Sequence, residues 1–134
     1  MPYKFGETSQ KRLDTCHPKL QEIANEAIKY IDFSISCGHR SEAEQTAVFR
    51  AGKSKVEYPN SKHNPSPSRA MDVVPYPVDW EDIKRFAYLM GILKGIAMAK
   101  GYKVRTGVDW DSDGDITDHK FMDWPHIELA DEEE

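Results

Sequence analysis

Apolar residues fall at helical spacing in one stretch and at alternate positions in the next, and this change of period recurs along the chain. Leu20, Ile23, Ala24, Ala27 and Ile28 form a stripe behind Pro18, a residue suited to a first helical turn, so a helix is predicted from Pro18 to about Tyr30. Phe33, Ile35 and Cys37 then alternate with Ser34 and Ser36, which reads as a strand with one buried face. Ser41 with Glu44 three residues on makes a capping box, opening a second helix that ends near Gly52. The prolines and asparagines of residues 53–68 specify a loop, and Ala70 to Val74 is a short apolar strand broken by one charge, Asp72. Asp79 is expected to cap the longest helix, about Trp80 to Lys100, with Ile83, Phe86, Ala87, Met90 and Ala97 along one side. Tyr102 to Arg105 and His126 to Leu129 read as the last two strands, with a polar loop between them.

Several of these strands lie too close together for crossover helices. The order therefore favours an α+β fold, a small antiparallel sheet flanked by helices, over a doubly wound sheet. At 134 residues one domain is expected, spanning 1–134, with residues 130–134 an acidic frayed tail. A hydrophobic fraction of 39% against 31% charged is that of a globular chain rather than a disordered one. The net charge of −5, with no basic stripe, argues against nucleic acid as a partner. No apolar run follows the basic residues of the N-terminus, so no secretory signal is read there. The longest apolar stretch, Met90 to Met98, is too short to insert in a membrane and carries Lys94 and two glycines. Two cysteines, Cys16 and Cys37, are too few for a disulfide framework, and free thiols packed in the core of a cytoplasmically made monomer are the expectation.

Asp72 sits where its strand neighbours should be buried, a costly place for a carboxylate unless a cation meets it. His63, at the end of Ser61-Lys62-His63, and His126, at the start of the last strand, supply two imidazoles. With Asp72 they make a zinc set of three protein ligands, and the fourth position left for water marks a catalytic site. Asp123, three residues before His126, is the candidate general base and later the acid for the leaving amine. Arg40 follows the first strand and is suited either to grip a substrate carboxylate or to oppose an oxyanion. Gln45, one turn into the next helix, is a candidate for hydrogen bonding to substrate backbone. Each residue also has a plain reading. His63 serves equally as a surface histidine and His126 as a satisfied core one; Asp72 can pair with Arg40 or Arg69, and Asp123 can close an Asx turn.

Other schemes fail on inspection. There is no Gly-x-Ser-x-Gly elbow and no His-Glu-x-x-His, and Ala47 stands where a phosphate loop before Gly52-Lys53-Ser54 needs its first glycine. A second metal candidate is the run Asp109, Asp111, Asp113, Gly114, Asp115, which matches the opening of a calcium loop. Lys120 occupies the place of that loop's bidentate Glu, so a solvated acidic turn is the competing reading.

Ser61-Lys62-His63, Ala70-Met71-Asp72 and Asp123-Trp124-Pro125-His126-Ile127-Glu128-Leu129 together resemble the three blocks of the VanY-like zinc peptidases. Cys37-Gly38-His39-Arg40-Ser41 resembles that family's Gly-x-Arg-Thr segment. The resemblance implies a fold like that of the Hedgehog and D-alanyl-D-alanine peptidases. It implies His63, Asp72 and His126 as zinc ligands, Asp123 as base and Arg40 on substrate or transition state. The short chain and an Asp at the base position look most like the phage L-alanyl-D-glutamate endopeptidases. Such endolysins act on the peptidoglycan stem peptide and are expected to reach the wall through a separate holin-like pore. Two features depart from the family pattern: the loop between His63 and Asp72 is longer, and Ser68 stands where a turn glycine is usual. The rival functions are a D-alanyl-D-alanine carboxypeptidase or dipeptidase on the same scaffold, and a non-catalytic zinc- or calcium-binding module that recognises the wall.

Overall fold

The computed structural model describes residues 3–107 and 123–130. Four helices, α1 (Glu7–Leu13), α2 (Pro18–Ala27), α3 (Glu42–Arg50) and α4 (Ile83–Ala99), interleave with four strands, β1 (Phe33–Cys37), β2 (Ala70–Pro75), β3 (Val104–Thr106) and β4 (His126–Leu129). The strands form one sheet in the order β1-β2-β4-β3, every pairing antiparallel. The α+β expectation holds.

Alternation along the strands divides the sheet into two faces with different work. Ile35, Met71, Val73, Ile127 and Leu129 are buried in the core together with Leu20, Ile23 and Ala27 of α2 and Leu89, Met90, Leu93 and Ala97 of α4. The intervening residues Asp72, His126 and Glu128 belong to the opposite face and are also largely buried. In register, Asp72 lies directly opposite His126, and Cys37 opposite Asp72, across a bulge between Ile35 and Cys37. Facing pairs place their Cβ atoms about 5 Å apart, so sheet register alone brings two of the candidate ligands together.

One element was not predicted and several bounds differ from the sequence reading, β3 among them, which covers Val104–Thr106 rather than Tyr102–Arg105. α1 was not expected: its seven residues carry one buried apolar side chain, Leu13, too little to register as a stripe. Its role lies in hydrogen bonding. β1 is an edge strand, and Ser9 Oγ accepts from Ile35 N while Arg12 Nη1 donates to Ile35 O, so α1 covers the open edge. Phe5, just before it, packs edge-on to Phe33 at 5.1 Å. α4 starts three residues later than predicted. Asp82, not Asp79, is its cap, accepting from Arg85 N, while Asp79 accepts from Glu81 N in a preceding turn that leaves Trp80 outside the helix. The capping box of Ser41 and Glu44 is formed as expected, and α2 ends at Ala27, shortly before the predicted Tyr30.

Candidate metal centre and its cleft

The long loop before β2 is fastened at both ends. Ser61 N donates to Asn64 Oδ1 and His63 N to Ser61 Oγ, and Arg40 N donates to the carbonyl of His63. Farther along, Ser68 N donates to Thr15 O, and His17 N donates to Ser68 O. Ser68, in the place of the usual glycine, turns its hydroxyl onto the carbonyl of Ala70. The added loop length is thereby taken up against the α1–α2 junction, and Asp72 still arrives opposite His126.

His63 is buried, and its Nδ1 lies 2.7 Å from the carbonyl of Gly38, which fixes that nitrogen as the donor. On the neutral ring Nε2 is then the bare nitrogen; it lies 3.3 Å from Asp72 Oδ1 and has no hydrogen-bond partner. On His126 the roles of the two nitrogens are reversed. Nε2 meets Glu128 Oε1 at 2.8 Å, while Nδ1 faces Asp72 Oδ1 at 3.2 Å and Asp123 Oδ2 at 3.8 Å. The two rings lie 5.2 Å apart. Two imidazole lone pairs and one carboxylate thus converge, each ring oriented from behind by a hydrogen-bond acceptor, the usual support for metal-binding histidines. The orphaned Nε2 of buried His63 is the observation a metal ion accounts for, because an unsatisfied buried nitrogen is costly. These residues fit a metal ion. Asp72 is the shared member of two groups whose donor atoms all lie within 4.8 Å of one another, Asp72 with Asp123 and His126, and Asp72 with Cys37 and His63.

Electrostatics follow from this crowding. Burial alone would lower both histidines and raise Asp72, but the close approach of each ring to the Asp72 carboxylate outweighs it. His63 and His126 are held above the usual imidazole range and Asp72 well below the usual carboxylate range. At Asp123 burial and the charge of Asp72 win over the pull of His126, His63 and Arg40, and its pKa is raised. Glu128 is kept low, against the effect of its burial, by His126 and by Arg105, whose Nη2 lies 3.1 Å away.

Arg40 Nη2 donates to Asp72 Oδ2 at 3.2 Å and Nη1 to Gln45 Oε1 at 3.3 Å. Gln45 is fully buried behind Arg40. Its amide nitrogen donates to Ser54 Oγ and Val56 O, so it ties α3 to the cleft wall, and it does not line the cleft. Asp123, His63, His126, Arg40 and Trp80 do line that cleft, of about 540 Å³. Glu128 could have been found in the sequence, two residues after His126 and therefore on the same strand face. Cys16 is in the core as expected, but Cys37 borders the site, its Sγ 3.8 Å from His63 Nδ1. The candidate calcium residues Asp109, Asp111, Asp113 and Asp115 lie outside the described residues. Among the described residues no helix is long and apolar enough to cross a membrane.

The model of the family described as phage L-alanyl-D-glutamate peptidase matches residues 1–130. The chain belongs to that family. It is 33% identical to the L-alanyl-D-glutamate peptidase of Escherichia phage T5, over 97% of this chain and the whole of that protein. Its fold matches the crystal structure of the Serratia marcescens L-Ala D-Glu endopeptidase ChiX with a TM-score of 0.74, at 30% identity, over 94% of this chain and 90% of that one. The family resemblance read from the three sequence blocks is borne out, in its phage form, and with it membership of a peptidase family.

Proposed function

We propose that this chain is a zinc peptidase hydrolysing the L-alanyl-D-glutamate bond of the peptidoglycan stem peptide. The observation that carries the reading is the convergence of His63 Nε2, His126 Nδ1 and Asp72 Oδ1 beside Asp123 in an open cleft. Two imidazoles with a carboxylate suit zinc better than calcium or magnesium, which prefer all-oxygen shells. A zinc ion held there supplies Lewis acidity, making water a nucleophile near neutral pH and polarising the scissile carbonyl.

Asp123 is the proton carrier. It stands next to His126 without sharing the inward hydrogen bonds of Asp72, and its side chain is 35% exposed, open to substrate and solvent. Its raised pKa makes it a better base than an ordinary Asp. It takes a proton from the attacking water and passes it to the departing amine of D-glutamate. Arg40, held by Asp72 and Gln45, presents its charge to the carbonyl oxygen as negative charge builds there. Gln45 acts through Arg40 rather than on substrate.

The test is mass spectrometry of purified muropeptides digested by zinc-loaded protein, with and without chelator. The expected products carry a free L-alanine carboxyl and a free D-glutamate amine, and chelator stops their formation. Release of D-alanine instead would transfer the chain to the carboxypeptidase reading. Intact muropeptides with zinc bound would leave only a wall-recognition module.

A further inference from the structure

We propose that Lys53 and Lys62 form a carboxylate-reading rim, selecting stem peptides in which the free carboxyl of D-glutamate is ionised rather than capped as an amide. This deepens the L-alanyl-D-glutamate assignment and rests on it. D-Glutamate gives its amine to the scissile bond and has two carboxyl groups. The peptide continues through one of them, so the other remains, charged or capped, a few bonds from the reacting carbonyl.

The cleft is built to notice that difference. On a chain of net charge −5, five cations line it: Arg40, Lys53, Lys55, Lys62 and Arg105. Its acids are already engaged, Asp72 with the two histidines, Asp123 beside His126 and Glu128 with His126 and Arg105. Arg40 is committed to Asp72 and Gln45. Lys53 and Lys62 are exposed, and neither has a hydrogen bond or ion pair from its ammonium group among the described residues, although the charge of Lys62 is felt at Glu128.

Both lysines are mounted on fixed backbone. Lys53 N and Ser54 N donate to Val48 O, and Gln45 fastens Ser54 and Val56 from below. Lys62 directly precedes His63, and its carbonyl accepts from Arg69 N. One ammonium therefore adjoins a metal-ligand residue and the other stands on the loop following α3, both reaching the same cleft. An anionic group there gains two charge-assisted contacts that a carboxamide cannot match.

The experiment uses two synthetic peptides that differ only in whether the D-glutamyl residue carries a carboxylate or a carboxamide. With zinc-loaded wild-type protein the carboxylate peptide is expected to have a kcat/KM about tenfold higher, a preference that shrinks in strong salt as exposed charges are screened. In Lys53→Gln/Lys62→Gln the ratio falls toward one, and Lys53→Arg/Lys62→Arg restores it. Turnover of the carboxamide peptide by the glutamine variant reports that it is folded. Titration calorimetry of both peptides on zinc-loaded Asp123→Asn gives the same ratio as a binding measurement, without turnover. Equal handling of the two peptides by wild type, or a preference that survives in the glutamine variant, overturns this inference alone. Failure to cut either peptide removes the bond assignment on which it rests.

Discussion

His126 shows how much chemistry one side chain carries through its neighbours. Its Nδ1 faces the inward donor set and its Nε2 is committed to Glu128, so the tautomer is fixed by a residue two places along the same strand. Glu128→Gln keeps a hydrogen-bond acceptor but removes the charge that makes His126 a stronger ligand. We expect zinc affinity to fall about 10–100-fold in a chelator competition titration; unchanged affinity would reduce Glu128 to a partner for Arg105. Asp123→Asn separates binding from chemistry. It is expected to retain zinc while kcat drops at least about 100-fold, whereas His126→Ala loses both metal and activity. Metal analysis alongside rate measurement decides this, and full zinc in His126→Ala would remove it from the ligand set. The meeting of His63 and His126 about Asp72 was legible in the sequence because each of the three sits in a recognisable block. Gln45 shows the limit of such reading. Helix position put it near the site, but only the structure shows its amide turned inward on Arg40, Ser54 and Val56.

Among the elements, those that announce themselves by apolar pattern or, like α3, by a capping box were readable, and α1, held by polar contacts, was not. β1, β2 and β4 alternate or run apolar over their length, and their bounds match the reading closely. α1 serves a strand edge through Ser9 and Arg12, a role with no hydrophobic period. α4 had two acids able to cap it, and only backbone geometry chose Asp82 over Asp79. The turn entering β4 depends on a close approach that sequence alone does not reveal. Gly107 N donates to His126 O and Asp123 N to Gly107 O, which packs the two segments so tightly that a Cβ on Gly107 would land on the backbone of Asp123. Gly107→Ala must therefore push Asp123, the proposed base, away from its place. The expected result is a kcat at least about tenfold lower with zinc still bound, and a stability loss of about 1–3 kcal/mol by denaturant unfolding. Wild-type kcat in that variant would show that the position of Asp123 tolerates the shift.

At the level of the whole molecule, the proposed metal site would link folding to protons as well as to the ion. Without an ion, the buried cluster of His63, Asp72 and His126 is held by protonated imidazoles around a carboxylate. Both histidines lie above their ordinary 6.5, so the stability they contribute is complete below about pH 6.5 and is lost as pH rises through the alkaline range. Asp72 lies below its ordinary 3.8, so its contribution is present above that pH and disappears in acid. Metal-free protein should therefore be most stable between about pH 4 and pH 6.5, with Tm falling by about 5 °C toward pH 9. Zinc binds neutral imidazole and must displace those protons, so its affinity strengthens over the same range in which the metal-free fold weakens. The gain in Tm on adding a fixed excess of zinc should grow from pH 6 to pH 8.5, since a ligand that binds only the folded state stabilises it by an amount that rises with the logarithm of its affinity. Scanning calorimetry of metal-free and zinc-loaded protein at matched pH measures both trends. A metal-free Tm that stays level from pH 6.5 to 9, or a zinc gain that shrinks with pH, would mean that these imidazoles neither hold protons for Asp72 nor yield them to a metal.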